Sequence, residues 1–361
     1  MKHKKRIAVI GLKGLPAFGG AAAVGESIIN QLKDKYEFTV LSVSSHTSES
    51  KNNLNGVSQV IFKNYGNGGL NTFIYYLQCM FFVMFNKFDL IHLHHGSSGF
   101  ITPILRLKYN VVTTFHGVFK KNDPKFSNFQ NWFFRFCEKL NVQYSNVVVS
   151  VSRPDKEYLE KKFKKEIRYI PNGINIPKEQ EKKEKNYLSF AAGRIYQIKG
   201  LHFLLESIDK LDENIPLIVA GDLNQVKQYK SKIINQSKDL DVKFLGLLKN
   251  KEKLLDMVRH SKIFVFPSMT EAMSMMLLEV VSVKTPIIAS DIPSNKSIFS
   301  DKEILFFKSE DPQDLLEKLK YALLNNEIMK EKALAAFKRL EKNYIWSTIS
   351  IQYSNTYLKY L

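Results

Sequence analysis

The chain has 361 residues, of which 44% are apolar and 24% are charged. This length exceeds what one hydrophobic core usually supports, so the chain predicts two domains of ordinary size. The formal net charge of +18 lies mainly in the first half, where residues 1–180 hold 25 Lys and Arg against 12 Asp and Glu. Such a charge is compatible with nucleic acid, anionic lipid, a phosphorylated acceptor or an AT-rich genome, and alone it excludes none of them.

No segment predicts a signal peptide or a membrane span. The basic start of the chain precedes the apolar run Ile7–Ile10, but Lys13 follows too early for a signal-peptide core. The longest other apolar stretch, residues 73–85, is shorter than the roughly 20 residues that cross a bilayer, and it contains Gln78. We therefore expect a chain without a transmembrane segment.

The cysteines and acidic motifs predict no metal or redox centre. Cys79 and Cys137 are far apart in apolar-aromatic surroundings and form no CxxC pair, so we expect buried thiols in a reducing cytoplasm. Asp239-Leu240-Asp241 has the form of a DxD metal motif, but it lies in a surface turn rich in Lys and Asp. We expect no metal and no cofactor.

Short apolar runs alternate with helical stretches, which is typical of parallel strands buried on both faces. This order predicts two consecutive α/β units. The predicted strands are residues 7–10, 38–43, 90–93, 111–115 and 147–151 in the first half, and 188–191, 217–220, 243–245, 263–266, 286–289 and 304–306 in the second.

The domain boundary follows from a turn and a charged segment. Pro171-Asn172-Gly173 is a turn signal, and the apolar-poor residues 178–186 come directly after it. From about residue 311 the chain predicts helices with periodic leucines and aromatics. The predicted organisation is a first domain at 1–170, a linker at 171–186, a second domain at 187–335 and a helical segment at 336–361.

A glycine-rich loop follows the first predicted strand. It runs from Gly11 to Gly20 and leads into small residues that should open a helix. Glycines such as Gly19 and Gly20 let backbone N–H groups approach an anion at a helix N-terminus. The spacing is not GxGxxG, and many α/β domains need glycines only to turn, so this loop is a weak signal alone.

The second half places two cations on one loop directly after a strand. The segment from Gly193 to Gly200 contains Arg194 and Lys199, at the edge where ligands bind in open α/β sheets. A planar guanidinium and a mobile ammonium together can neutralise a diphosphate as it departs. A solvated basic loop is the alternative interpretation.

A second motif begins where the strand ending at Phe266 is followed by a polar turn. A helix should start near Glu271, with free N–H groups around Ser274 and Met275. Glu271 and Glu279 are eight residues apart, so they would lie on one side of this element. Either carboxylate could instead serve only its own helix, although apolar neighbours argue against that for Glu279.

Taken together, these motifs resemble the donor site of family 4 retaining glycosyltransferases with the GT-B fold. The resemblance rests on residues 193–200 and the E-x7-E spacing, and it extends to Gly19-Gly20, Pro171-Asn172-Gly173 and Asp291-Ile292-Pro293. It implies two facing Rossmann-like domains with parallel sheets and a cleft between them. It also implies C-terminal helices that pack back toward the first domain.

The resemblance also assigns roles to individual residues. Arg194 and Lys199 would hold the donor diphosphate, Glu279 the ribose and Glu271 the transferred sugar. The loop glycines Gly19 and Gly20 would also face the donor. Amides near Ser274, Met275 and Met276 would hold the distal phosphate or the sugar. Ala272-Met273-Ser274 stands where the family often has Gly-aromatic-Gly, so the identity of the sugar stays open.

Histidines cluster in the first half of the chain. His116 follows the strand 111–115, where the resemblance implies contact with the donor sugar, although Gly117 stands where many members have Asp. A histidine satisfied by backbone is the alternative. We interpret His94 and His95 as acceptor-side candidates and His92 as structural, with a metal site as the least favoured reading.

The acceptor side is predicted from basic and aromatic residues. Residues 119–136 combine basic and aromatic side chains, including Lys120 and Lys121, and this combination suits a membrane interface. Core packing is the alternative for residues 119–136 and for the apolar residues 73–85. The cationic stretch 156–165 would add attraction to anionic lipid. A polyprenyl-diphosphate-linked sugar or another glycan would fit as acceptor, and we expect no nucleic-acid partner.

The sequence therefore predicts a metal-independent hexosyltransferase that uses a nucleotide diphosphate-sugar, with UDP favoured by family frequency. Because no carboxylate is an obvious nucleophile, same-face attack is favoured over double displacement. We expect the protein at the cytoplasmic face of the plasma membrane, in surface polysaccharide synthesis. The alternatives are a sugar-nucleotide epimerase or hydrolase on the same fold, and a non-enzymatic basic lipid-binding protein.

Overall fold

The chain folds into two compact units in a computed structural model that describes residues 3–17, 20–47, 53–66, 68–119, 126–181, 183 and 185–361. The first unit comprises Met1–Gly173 and Trp346–Leu361, and the second comprises Ile174–Ile345. Each unit is built on its own sheet of mostly parallel strands. The predicted α/β class is confirmed.

The first unit contains an eight-stranded sheet in the order β3-β4-β2-β1-β5-β6-β7-β8. Its ladders are parallel except for the short β3–β4 pair. Its elements are β1 (Lys5–Lys13), α1 (Gly20–Leu32), β2 (Tyr36–Val43), β3 (Asn53–Leu54), β4 (Val57–Phe62), α2 (Gly68–Phe85), β5 (Leu90–His94), α3 (Thr102–Leu105), β6 (Asn110–Phe115), α4 (Asn128–Tyr144), β7 (Val147–Ser150), α5 (Arg153–Phe163) and β8 (Arg168–Tyr169).

The second unit contains a six-stranded sheet in the order β11-β10-β9-β12-β13-β14, paired in parallel throughout. Its elements are β9 (Lys185–Arg194), α6 (Leu201–Ile208), β10 (Leu217–Asp222), α7 (Lys227–Gln236), β11 (Val242–Gly246), α8 (Lys251–His260), β12 (Ser261–Phe266), α9 (Met275–Ser282), β13 (Ile287–Ser290), α10 (Pro293–Lys296), β14 (Leu305–Phe307), α11 (Pro312–Leu324) and α12 (Asn326–Asn343). The final helix of the chain, α13 (Trp346–Leu358), belongs to the first unit.

Every predicted strand is present, and most are apolar runs that both faces of a sheet bury, whereas β11 is an edge strand with no fully buried residue. Ile7, Val9 and Ile10 of β1, for example, have no measurable solvent exposure. The sequence reading missed β3, β4 and β8. These strands are short or mix polar with apolar residues, and they lie toward the edges of the sheet, so they lack the continuous apolar signal.

The units divide the chain differently from the predicted ranges. Ile174 already pairs with Ile345 inside the second unit, and its amide donates to the Tyr344 carbonyl, so this unit takes residues 174–186 and 336–345. A turn and a charged segment show where the chain is exposed. They do not show which distant strand the flanking residues pair with, and therefore to which unit those residues belong.

The last helix, α13, packs against the first unit, as predicted for the C-terminal helices. It packs on α1, and the rings of Tyr36 and Tyr357 meet edge to face 5.6 Å apart. The Tyr357 hydroxyl lies 2.8 Å from Nδ1 of His92, while Nε2 of His92 lies 2.9 Å from the Thr114 hydroxyl. Both ring nitrogens of this buried histidine are therefore occupied by the fold.

Helix α2 corrects the expectation drawn from residues 73–85. The helix begins at Gly68, and with 18 residues it is long enough and, on average, apolar enough to cross a membrane by those two criteria alone. Tyr75, Tyr76 and Cys79 on its inner side are nonetheless buried with β1 and β5 in the core. A core helix passes the same test, so the finding is weak evidence for a span.

Cys79 and Cys137 are free, buried thiols, as expected.

The histidines of β5 predict a first unit that loses stability in mild acid. Burial, reinforced by His116, lowers the pKa of His92 to about 3, and burial with His92 lowers the pKa of His94 well below 6.5. The unfolded chain has ordinary histidines, so below pH about 6.5 it takes up protons that the folded state refuses. Each histidine should cost roughly 1 kcal/mol of unfolding free energy between pH 7 and 5.5.

Denaturant titration followed by tryptophan fluorescence measures this effect, since Trp132 and Trp346 both belong to the first unit. The unfolding free energy of the wild type should fall between pH 7 and 5.5, above the range in which ordinary carboxylates titrate. His92→Gln should be less stable at pH 7 but should show a smaller fall. An equal fall in both proteins would show that His92 does not carry the effect.

Candidate functional site

Two loops of the second unit are held together at the carboxyl ends of β9 and β12. The amide of Met269 donates to the Ile198 carbonyl over 2.8 Å. Gly200 has a φ of 71°, and a Cβ there would lie 1.9 Å from the Pro267 carbonyl oxygen. Only glycine fits this left-handed close approach. The two motifs found in the sequence therefore meet at one edge of the sheet.

The close approach brings Lys199 against Glu271. Lys199 Nζ and Glu271 Oε1 are 2.6 Å apart, with the side chains 21% and 13% exposed. Arg194, at the end of β9, is exposed, and none of the ion pairs seen among the described residues involves its guanidinium. The edge thus offers a guanidinium open to solvent and an ammonium balanced by one carboxylate.

Helix α9 begins later than the sequence predicted. Ser274 is its N-cap, and the Ser274 hydroxyl accepts a hydrogen bond from the Leu277 amide. Glu271 therefore lies in the turn before the helix and does not share a helical side with Glu279. Met275 and Met276 form the first turn of the helix, where backbone N–H groups lack intrahelical partners and carry the positive end of the helix dipole.

Glu279 is on α9 and is largely buried. Its Oε1 lies 2.9 Å from Nζ of Lys251, at the start of α8, and the two side chains form an ion pair. The sequence analysis did not single out Lys251, which is one of many lysines and lies far from Glu279 along the chain. Glu279 is thus neither a solvated helix charge nor unpaired, and a ribose at this carboxylate would share it with Lys251.

The structure adds a pocket that the sequence analysis missed. It has a volume of about 310 Å³ and lies at the carboxyl ends of β10 and β11, the same sheet edge as Arg194. Phe244 and Leu247 supply apolar wall, and Asp222 and Asn224 supply polar groups. The signal was present in the sequence as two further strand ends, but no charged motif marked them.

The histidines of the first unit lie at the carboxyl ends of β5 and β6. His94 Nδ1 is 3.1 Å from His116 Nε2, and the two rings are stacked. Burial, with a smaller effect of His95, lowers the pKa of His116 to about 3, so the pair is neutral at physiological pH and one ring donates to the other. His94 is itself buried and its ring is in contact with that of His116, so the acceptor-side role predicted for it stays a prediction.

The remaining predicted residues of the first unit have mixed outcomes. His95 is exposed, has a φ of 105° that is rare for a residue with a side chain, and caps the following 3₁₀ turn through Ser97. Gly20 is the first residue of α1, as the predicted helix opening requires. Gly19, Lys120 and Lys121 lie outside the described residues.

Part of the predicted cationic stretch 156–165 serves the fold. Lys162 pairs with the buried Glu138 over 2.9 Å. Lys165 donates to the carbonyls of Val142 and Ser145 at the end of α4, where helix carbonyls lack partners. These two ammonium groups are therefore engaged within the first unit.

No group of three or more potential metal ligands is found among the described His, Cys, Asp and Glu residues.

Comparison with known proteins accounts for both units. A family model for Glycosyltransferase Family 4 matches residues 18–177, and one for glycosyl transferases group 1 matches residues 174–340. An uncharacterized glycosyltransferase of Methanocaldococcus jannaschii is 25% identical over 343 residues, which is 92% of each chain. The O-antigen biosynthesis glycosyltransferase WclY of Escherichia coli is 25% identical over 298 residues, covering 75% of this chain and 79% of WclY.

Solved structures agree on the fold. HepE of Anabaena, determined in complex with UDP and glucose, superposes with a TM-score of 0.79 at 16% identity, covering 99% of this chain and 100% of HepE. At that identity the similarity concerns the fold, which is GT-B. Two family models that meet at residues 174–177 and together span residues 18–340 match the two sheets in turn, and the chain is therefore a glycosyltransferase of family 4.

Proposed function

We propose that this glycosyltransferase moves a hexose from a UDP-sugar to a polyprenyl-diphosphate-linked or other glycan acceptor, with retention at the anomeric carbon and without a metal ion. The observation that carries the proposal is the Lys199–Glu271 pair beside the open Arg194 and the start of α9. Two cations and a helix N-terminus supply positive charge where a leaving diphosphate needs it. Glu271 supplies an acceptor for sugar hydroxyls.

The geometry supports a division of labour along the sheet edge of the second unit. Phe244 and Leu247 offer an apolar wall for a flat base, and Glu279, steadied by Lys251, offers a carboxylate for ribose hydroxyls. Arg194 and Lys199 then meet the diphosphate. HepE was solved with UDP and glucose, which supports UDP as the donor nucleotide for this chain.

Donor binding must rearrange the Lys199–Glu271 pair. A diphosphate competes with the carboxylate for the ammonium, because the two phosphates of a nucleotide sugar together carry two negative charges and the carboxylate carries one. As Lys199 turns to the phosphate, Glu271 loses its cation and is free to accept hydrogen bonds from the sugar. The pair therefore holds both side chains close to their working positions before the donor arrives.

Same-face attack is the mechanism that suits these groups. The leaving phosphate oxygen takes the proton of the acceptor hydroxyl while the bond to the anomeric carbon breaks, so the charge builds on the oxygen that Arg194 and Lys199 stabilise. Glu271 is assigned to sugar hydroxyls, so it is not the nucleophile of a double displacement. His116, as a neutral imidazole, can donate and accept one hydrogen bond and is assigned to a sugar hydroxyl.

The proposed acceptor and cellular location are supported by related proteins and by charge. WclY is an O-antigen biosynthesis enzyme, which supports a role in surface polysaccharide synthesis. Such glycans are built on lipid carriers, and residues 1–180 carry 25 Lys and Arg against 12 Asp and Glu. We therefore place the enzyme at the cytoplasmic face of the membrane, held there by anionic lipid.

Replacement of either member of the central pair should separate two roles. Lys199→Gln should weaken UDP binding and lower kcat/KM on the order of 100-fold, because it removes charge stabilisation of the leaving group. Glu271→Gln should lower kcat/KM for the sugar donor without weakening the affinity for UDP itself, because the carboxylate meets the sugar and its loss leaves Lys199 free for the diphosphate. Isothermal titration with UDP and steady-state turnover measure the two effects.

The matched control is Lys210→Gln, which removes a lysine from the exposed pair with Glu206 in the same unit. It should leave both UDP affinity and turnover unchanged, since exposed pairs contribute little. If Lys210→Gln and Lys199→Gln had equal effects, the loss would reflect general charge and the assignment of Lys199 would be wrong.

The reaction itself is tested with purified protein in EDTA and a panel of nucleotide sugars, with and without a polyprenyl-diphosphate-sugar acceptor. We expect release of UDP that depends on the acceptor and survives EDTA, and a glycosidic linkage with the anomeric configuration of the donor. An inverted product, a covalent glycosyl-enzyme or a requirement for metal would refute the mechanism. Turnover without acceptor would favour an epimerase or hydrolase.

A further inference from the structure

Helix α2 has a second apolar side that the core does not use. Leu70, Phe73, Phe81 and Phe85 are 62%, 40%, 57% and 85% exposed. Their spacing follows one face of the helix, opposite the buried face. The positions between them on this face, Ile74, Leu77 and Met84, are also apolar, and helix α2 contains no charged residue. An apolar helix face that the core leaves uncovered is a surface that water solvates poorly.

Helix α4 extends the same surface with aromatic rings. Phe129, Trp132 and Phe136 are 70%, 55% and 41% exposed, and the rings of Trp132 and Phe136 are parallel to within 4°, with their centroids 5.6 Å apart. Phe133 joins the helices, because its ring lies 6.4 Å from that of Phe73 on α2 and 6.4 Å from that of Phe129. The outward side chains of both helices thus form one continuous surface, which we name the α2–α4 face.

The exposed charged side chains of α2 and α4 are all positive. Across α2 and α4, both described in full, Glu138 is the only carboxylate, and it is buried and paired with Lys162. Arg135 and Lys139 are exposed on α4. At the other end, the Lys108 ammonium binds the Met84 and Asn86 carbonyls at the end of α2. Cations therefore border an aromatic surface on which no carboxylate is exposed.

We propose that the α2–α4 face is the membrane-docking surface of the protein and that it lies flat on a bilayer of anionic lipids. Aromatic rings partition into the interfacial zone of a bilayer, and flanking Arg and Lys reach anionic headgroups. A second copy of this chain would instead bring the same cations face to face. The inference rests on the proposed function, since a polyprenyl-linked acceptor resides in the bilayer, and it assigns that contact to particular side chains.

This assignment differs from a transmembrane span of α2. Tyr75, Tyr76, Cys79 and Val83 on the inner side are fully buried, so insertion of the whole helix would remove the cover from the sheet. Docking uses only the outer side and leaves the fold intact. The helix then lies parallel to the membrane surface, as interfacial helices do.

The test is co-sedimentation of the full chain with vesicles of phosphatidylcholine alone or mixed with phosphatidylglycerol. The wild type should bind the anionic vesicles more strongly, and the emission of Trp132 should shift to shorter wavelength as its ring leaves water. Trp346, the other tryptophan, is already buried and should not change. The combined variant Phe129→Ser, Trp132→Ser, Phe136→Ser should lower the partition coefficient at least about ten-fold, since each buried ring contributes more than a factor of ten at full burial.

A charge variant and a matched control complete the design. Arg135→Gln with Lys139→Gln should weaken binding to anionic vesicles by about five-fold for each lost cation and leave binding to neutral vesicles unchanged. Tyr321→Ser, Leu324→Ser and Ile328→Ser remove three exposed apolar side chains from the second unit and should change nothing. Circular dichroism and UDP affinity confirm that each variant is folded.

Three outcomes would overturn the docking surface: no vesicle binding by the wild type, undiminished binding by the aromatic variant, or a wild-type dimer in sedimentation velocity that the aromatic variant abolishes. The last would identify the face as an interface between copies. Failure of the proposed function is read separately, because Lys199→Gln should lose UDP affinity yet bind vesicles normally. The aromatic variant should show the reverse.

Discussion

The approach of Gly200 to Pro267 is the constraint on which the Lys199–Glu271 pair depends. A Cβ at position 200 would lie 1.9 Å from a carbonyl oxygen, so glycine is required, and the loop after β9 is thereby fixed against the loop after β12. Lys199 and Glu271 meet because their neighbours in the chain are held in this way. The ion pair is thus a product of backbone geometry at a parallel sheet edge, and its residues cannot drift apart without loss of that contact.

The first unit has its own chemical edge, built from neutral histidines. His92 is held by Tyr357 and Thr114, and His94 holds His116, so one histidine anchors the last helix while another orients a ring at the sheet edge. Burial keeps all three uncharged, which lets the His94 and His116 rings form a hydrogen bond to each other without repulsion. His92 and His94, two residues apart on β5, therefore have different partners in the fold.

Much of this arrangement could be predicted from the sequence, and the errors have identifiable causes. Apolar runs predicted the strands. Arg194, Lys199 and Glu271 follow the carboxyl ends of strands, and because the carboxyl ends of parallel strands lie at one edge of a sheet, the sequence placed all three at that edge. The start of α9 was placed too early, because Glu271 is a good helix former, whereas the Ser274 cap decides the boundary. Lys251 and the pocket wall at Phe244 and Leu247 depend on contacts between distant segments, which spacing does not reveal.

The two sides of α2 show where sequence reasoning reaches its limit. Tyr75 and Phe81 are both aromatic and belong to one helix, yet one is fully buried and the other is 57% exposed. Hydropathy alone assigns both to a core or both to a membrane. Only the packed sheet distinguishes them. A fold that uses one apolar side of a helix for its own core leaves the other side available, so the docking that we propose for the α2–α4 face would not require the first unit to unfold.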